Sequence, residues 1–162
     1  MKKITITQIS EKKIKAGNPL LQMEDFPNEL SFDEGELVEL VDSRQKFVAK
    51  AYLAKQNKGV GWVFSLDNAD SFNEAFFKKQ FEKAKRKRTD LQSDPETTTY
   101  RLFNAEGDGI PGVTIDHYDG FAVVSWYSEG IFRYQTAIIA AFQVVFPETK
   151  GIYEKFRYQR KD

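Results

Sequence analysis

The sequence predicts a β-rich α+β chain in which a small N-terminal β-barrel, a helical linker and a strand-strand-strand-helix-strand layer follow one another. Three stretches carry the prediction. Over residues 1–70, short runs of β-branched and aromatic residues alternate with turn residues, the pattern of small barrels. From Ser71 the apolar period changes to that of a helix. Beyond residue 99 the two-residue period returns on both sides of a glycine- and proline-bearing loop, within RLFNAEGDGIPGVTIDHY from Arg101 to Tyr118.

In the first region Ile4, Ile6 and Gln8 alternate with Thr5 and Thr7 as a β-branched strand, and Lys12, Lys13 and Lys15 follow it. These lysines have two readings, a solvated strand end or a contact to phosphates. Gly17-Asn18-Pro19 breaks the chain. From Gln22 to Glu39 the sequence turns acidic, through Glu24, Asp25, Glu29, Asp33, Glu34, Glu36 and Glu39, and a face of that charge points away from a phosphate backbone. Leu37–Val41 and Lys46–Leu53 form a hairpin across Asp42-Ser43-Arg44-Gln45, and Gly61–Ser65 adds a strand after the turn at Asn57-Lys58-Gly59. Trp62 and Phe64 on that strand suit either base stacking or a barrel interior.

Ser71 to Asp90 reads as a helix. Ser71 and Glu74 have capping-box spacing, and Phe72, Phe76, Phe77, Phe81 and Ala84 fall on one face. Its end, Lys83-Ala84-Lys85-Arg86-Lys87-Arg88, places five cations in six positions. Such cations oppose the negative end of the helix dipole, and they also suit RNA phosphates. Thr89 to Thr99 is polar, contains Pro95 and reads as a linker. Strands follow near 99–105, 113–118 and 121–127, the last two joined by Asp119-Gly120, which favours a tight hairpin. A helix near 131–146, stopped by Pro147, and a strand near 151–157 complete the layer.

Composition narrows the function. Lysine plus arginine and aspartate plus glutamate number 24 each, so no global field draws the chain onto nucleic acid and any RNA contact arises from local clustering. With no cysteine there is no disulfide, thiol nucleophile or thiolate metal site. No run approaches membrane-spanning length and the N-terminus lacks a signal-peptide core, so the expected location is the cytoplasm, without a membrane partner. Glu106, Asp108 and Asp116 are near enough in sequence to hold a hard cation, but their spacing matches no calcium loop, and no metal is expected. Nor does a nucleophile accompany these acids. His117, the single histidine, alternates with Val113 and Ile115 and reads as a core or boundary residue. Gly107–Gly112 joins two strands without opening a helix, which excludes a dinucleotide fingerprint.

The stretch R-L-x-N-x-E-x-D-G-x-P-G-V-T-I-D-x-Y resembles, without gaps, the signature of the PUA-containing, S-adenosylmethionine-dependent rRNA methyltransferases that act on cytosine carbon 5 of large-subunit rRNA. The resemblance covers nearly the whole chain. It implies a PUA-like RNA-binding domain at 1–70, a helix and linker at 71–98, and the family's α+β middle domain at 99–162. Against the family's Gly-His-Pro-Trp element the match is only to Gly17 and Pro19, since Asn18 and Leu20 stand in the other places. By position it marks Arg101, Asn104, Glu106, Asp108, Gly109, Pro111, Gly112 and Asp116 as motif residues at a domain interface, with Arg101 pairing to one of the acids.

The family's Rossmann-type catalytic domain, which binds S-adenosylmethionine, has no counterpart in these residues. The reading therefore expects a catalytic domain in polypeptide beyond Asp162, and a chain that recognises ribosomal RNA but contains no catalytic residue, metal or cofactor of its own. RNA contacts are expected at Lys12, Lys13, Lys15, Lys85, Arg86, Lys87 and Arg88. A stand-alone RNA-binding or adaptor module is the alternative, and the oligomeric state is left open.

Overall fold

The computed structural model describes residues 1–56 and 59–160, so the turn expected at Asn57 and Lys58 lies outside the described residues. The chain divides into two compact units, Met1–Ser71 and Phe72–Asp162.

Among the described residues the first unit is built on five strands: β1 (Lys2–Thr5), β2 (Leu20–Leu21), β3 (Leu37–Val41), β4 (Phe47–Leu53) and β5 (Gly61–Ser65). They are ordered β1-β3-β4-β5-β2. β1 runs parallel to β3, with Lys2 opposite Val38, whereas the other pairs are antiparallel. The hairpin of β3 and β4 forms as expected, and Asp42 ties its turn by accepting the Arg44 and Lys46 amides at 2.8 and 2.9 Å. Leu21, Val38, Leu40, Ala49, Ala51, Leu53 and Val63 pack a core with Ile14 and Phe26. Phe64 is buried and Trp62 half-buried.

One expected strand is shorter than its pattern. The alternation through Gln8 stops at Thr5, because the Thr7 side chain accepts the Ser10 amide at 3.1 Å and caps the helix α1 (Gln8–Lys15). Lys12, Lys13 and Lys15 are thus helical residues, not a strand end.

The second unit contains α2 (Glu74–Lys87), α3 (Thr89–Ser93), β6 (Thr99–Asn104), β7 (Val113–Tyr118), β8 (Phe121–Trp126), α4 (Glu129–Phe132), α5 (Gln135–Val145) and β9 (Gly151–Phe156). Its sheet is ordered β6-β7-β8-β9; β6, β7 and β8 are antiparallel, and β9 returns parallel to β8 through α4 and α5. Parallel return requires such a crossover. Asp119 and Gly120 take φ of 46° and 92°, the left-handed pair demanded by a tight hairpin.

Three expectations change here. The cap of α2 is Asn73, whose Oδ1 accepts the Phe76 amide at 3.0 Å, and not Ser71. Part of the polar stretch after it is helical, as α3; that helix buries no side chain, which is why no apolar period announced it. The helix expected over 131–146 is two, and Tyr134 at the junction packs edge-on against Phe72 with ring centres 4.8 Å apart. The phenylalanine stripe of α2 makes it part of this unit: Phe81 meets Phe103 of β6 at 4.8 Å and Phe142 of α5 at 5.6 Å, in edge contacts.

Candidate nucleic-acid interface and motif loop

The loop between β6 and β7 is held from within. After Asn104 the chain makes a short 3-10 turn, Ala105–Asp108, and leaves it through Gly109 at φ 96°. A Cβ at Gly109 would also stand 2.5 Å from Gln80 Oε1, the movable end of a side chain, so it is the left-handed conformation that calls for glycine. Pro111 and Gly112 are buried as the chain enters β7.

Asp108 is the anchor. Its side chain is only 4% exposed and accepts Arg88 Nη2 at 2.7 Å, Lys87 Nζ at 3.2 Å and the Asn104 amide at 2.7 Å. Arg88 also donates through Nε to the Arg101 carbonyl at 2.8 Å, joining the end of α2 to β6. Burial alone pushes the Asp108 carboxyl up, but the bonds from Arg88, Asn104 and Lys87 outweigh it and hold the group below its ordinary value.

Arg101, Asn104 and Glu106 face outward, with Asp116 half-buried beside Arg101. Arg101 Nε donates to Asp116 Oδ1 at 2.5 Å across the β6–β7 pair, and its Nη1 reaches Asn104 Oδ1 at 3.4 Å. Glu106 is exposed. Glu106, Asp108 and Asp116 therefore do not converge; among the described residues no group of three or more such side chains is placed to hold a metal. His117 stacks on Tyr100 at 4.8 Å, and its Nε2 accepts the Gly120 amide at 3.1 Å, a structural use of the ring.

The basic end of α2 is not one uniform patch. Lys85 donates to the Val145 carbonyl at 2.8 Å and lies 5.3 Å from the centre of the Phe146 ring, while Lys87 and Arg88 serve Asp108. Arg86 is exposed, and Lys87 remains 60% exposed despite its partner.

On α1 the lysines divide similarly. Lys13 Nζ reaches both oxygens of Asp25, at 3.0 and 2.9 Å, and Lys15 pairs with Glu11 at 2.6 Å, leaving Lys12 exposed and, among the described residues, without an ion pair. Asp25 was expected on an acidic outer face, but its side chain is 5% exposed. It also accepts Ser10 Oγ at 2.6 Å and the Gln22 amide at 2.7 Å. Burial raises its carboxyl, and the bonds from Ser10, Gln22 and Lys13 lower it by more. Sequence spacing could not show this centre, because its members come from α1 and a separate 3-10 turn, Met23–Asp25, brought together by folding.

No helix among the described residues is long and apolar enough to cross a membrane. Residues 4–66 match the PUA-like domain family. The chain is 40% identical over 160 residues to the predicted ribosomal RNA large subunit methyltransferase YwbD of Bacillus subtilis, covering 98% of this chain and 40% of that protein. It is 31% identical over 121 residues to ribosomal RNA large subunit methyltransferase I of Escherichia coli, covering 75% of this chain and 30% of that one. Among solved structures, a predicted S-adenosylmethionine-dependent methyltransferase of Streptococcus mutans superposes with a TM-score of 0.90 at 40% identity, covering all of this chain and 44% of its own. A predicted methyltransferase solved with S-adenosylhomocysteine gives 0.91 with the same identity and coverage. The chain thus carries a PUA-like domain at residues 4–66 and is homologous to ribosomal RNA large-subunit methyltransferases, spanning 40% of the length of the Bacillus relative.

Proposed function

We propose that these residues form the RNA-recognising portion of an S-adenosylmethionine-dependent methyltransferase of large-subunit ribosomal RNA, with cytosine carbon 5 as the atom modified. The observation that carries the reading is the likeness of the entire chain, at 40% identity, to under half of an S-adenosylmethionine-dependent methyltransferase structure. The domains are then a barrel-forming PUA-like module at 1–70 and a middle domain at 99–162 onto which the helix of the 71–98 segment packs, acting in the cytoplasm.

The β6–β7 loop does not fit S-adenosylmethionine. It returns to a strand instead of opening a helix, and its buried carboxylate is already occupied by Arg88 and Lys87. This supports placing the cofactor and the catalytic residues in further polypeptide. Arg101, Asn104, Glu106 and Asp116 offer the surface on which that catalytic domain rests, while Asp108, Gly109, Pro111 and Gly112 keep the surface in shape. Exposed cations, chiefly Lys12, Arg86 and Lys87, attract rRNA phosphates.

The test is genetic and chemical. Reading the gene past codon 162 should reveal a catalytic domain, and disrupting it should abolish one methylated cytosine in large-subunit rRNA. A stop codon at that point would leave an adaptor module instead. Methyl transfer by the purified 162-residue chain would overturn the division of labour.

A further inference from the structure

The two faces of the second sheet differ in kind. On β9, Glu154 Oε1 accepts Trp126 Nε1 at 3.3 Å and Gln135 Nε2 at 2.8 Å, and Phe156 packs on Phe132 of α4 at 5.0 Å. Glu154 and Phe156 therefore face the helices. By the two-residue period Tyr153 and Lys155 face the other way. Arg157 continues that alternation, its amide bonded to the Trp126 carbonyl at 2.7 Å. Register extends the helix-free face across the sheet: Tyr153 stands opposite Val123, Phe121 opposite Tyr118, and Asp116 opposite Arg101.

This face combines aromatic rings with uncompensated cations. Tyr153 is 61% exposed and Tyr118 47%. The Phe121 and Tyr153 rings are 6.0 Å apart, and Lys150 Nζ lies 5.8 Å from the Phe121 ring centre. Asp116, the carboxylate on these strand positions, is engaged by Arg101. Among the described residues Lys155 and Arg157 have no ion-pair partner. Exposed large rings beside unpaired cations suit a ligand with flat, unpaired bases and a charged backbone. A duplex hides its base faces, whereas a single strand offers them for stacking while its phosphates meet the cations.

We infer that the part of this helix-free face running from the end of β7 across β8 to β9 binds single-stranded RNA, with Tyr118, Phe121 and Tyr153 stacking bases and Lys150, Lys155 and Arg157 contacting phosphates. The inference rests on the proposed RNA-recognition role and adds a strand-state preference to it. It also separates two uses of the sheet: the Arg101–Asp116 end for the catalytic domain, the β9 end for substrate.

The test is fluorescence anisotropy of the 162-residue chain with a labelled single-stranded RNA oligonucleotide and with a duplex of the same sequence. The single strand should bind more tightly. Tyr153→Ala and Tyr118→Ala should each weaken it about 5- to 100-fold, the range expected for one lost stacking contact. Tyr153→Phe keeps the ring and should keep the affinity. Circular dichroism of each variant should be unchanged, since both tyrosines are substantially exposed. Equal single-strand binding by wild type and both alanine variants would overturn the inference, as would tighter binding to the duplex. If binding then proved sensitive to Arg86→Gln or Lys12→Gln, the RNA-recognition reading would survive without this face. Absence of binding to either RNA would remove both.

Discussion

Arg88 Nη2 and Asp108 Oδ2 lie 2.7 Å apart, and both groups are largely shielded, with side-chain exposures of 16% and 4%. The pair couples the end of α2 to the loop that opens β7, so a helix terminus and a strand connection share one anchor. Asp108→Ala would leave Arg88 without its carboxylate and the Asn104 amide without an acceptor. Stability should fall by about 2–4 kcal/mol, read from the midpoint of urea unfolding. Loss of less than about 0.5 kcal/mol would mean that the loop is held by its backbone alone.

The same centre gives a pH dependence. Asp108 and Asp25 both titrate below the ordinary aspartate value of 3.8 in the folded chain, so the unfolded chain takes up protons first on acidification. Their contribution is fully present above that ordinary value and is lost as pH falls through the lower folded values. Stability should be flat in this respect at neutral pH and should decline below about pH 4. Asp25→Asn or Asp108→Asn should lower stability at neutral pH and make the acid decline shallower.

The cap of α2 allows a paired comparison. Asn73→Ala removes the acceptor of the Phe76 amide and should cost about 1 kcal/mol by denaturant unfolding. Ser71→Ala should be nearly neutral, because the exposed Ser71 lies outside the helix that Asn73 caps. The opposite ranking would move the helix start back to the sequence-based position.

RNA binding by the exposed cations predicts a separable effect. Arg86→Gln and Lys12→Gln should each reduce the slope of log affinity against log salt by about 1, with no change in unfolding midpoint. Arg88→Gln should behave differently, lowering stability through Asp108. A salt slope unchanged in all three variants would exclude these positions from the phosphate contact.

What the sequence made legible was local. Period-two alternation located β3, β4, β5, β7 and β8, and Asp119-Gly120 announced its hairpin, because those signals are set by neighbours a few residues apart. α1 was missed because it buries only Ser10 and Ile14, too few for an apolar stripe, and because a β-branched strand leads straight into its cap. The roles of the charges were least visible. Lys13 and Asp25, or Arg88 and Asp108, are twelve and twenty residues apart, so nothing local distinguishes a lysine or arginine committed to a buried acid from one left open to phosphate. The motif was recognisable as a string, but its division into an inward anchor at Asp108 and an outward pair at Arg101 and Asp116 required the third dimension.

The parallel pairing of β1 with β3 has a consequence for biosynthesis. Lys2 emerges from the ribosome well before its partner Val38, and Leu20 must wait for Trp62. Until then their backbone donors and acceptors remain in water, as open templates for any other nascent chain. The N-terminal sheet therefore cannot be completed until β5 arrives to pair with β4 and β2, and crowding on polysomes is the circumstance in which its open edges are most exposed to misassembly.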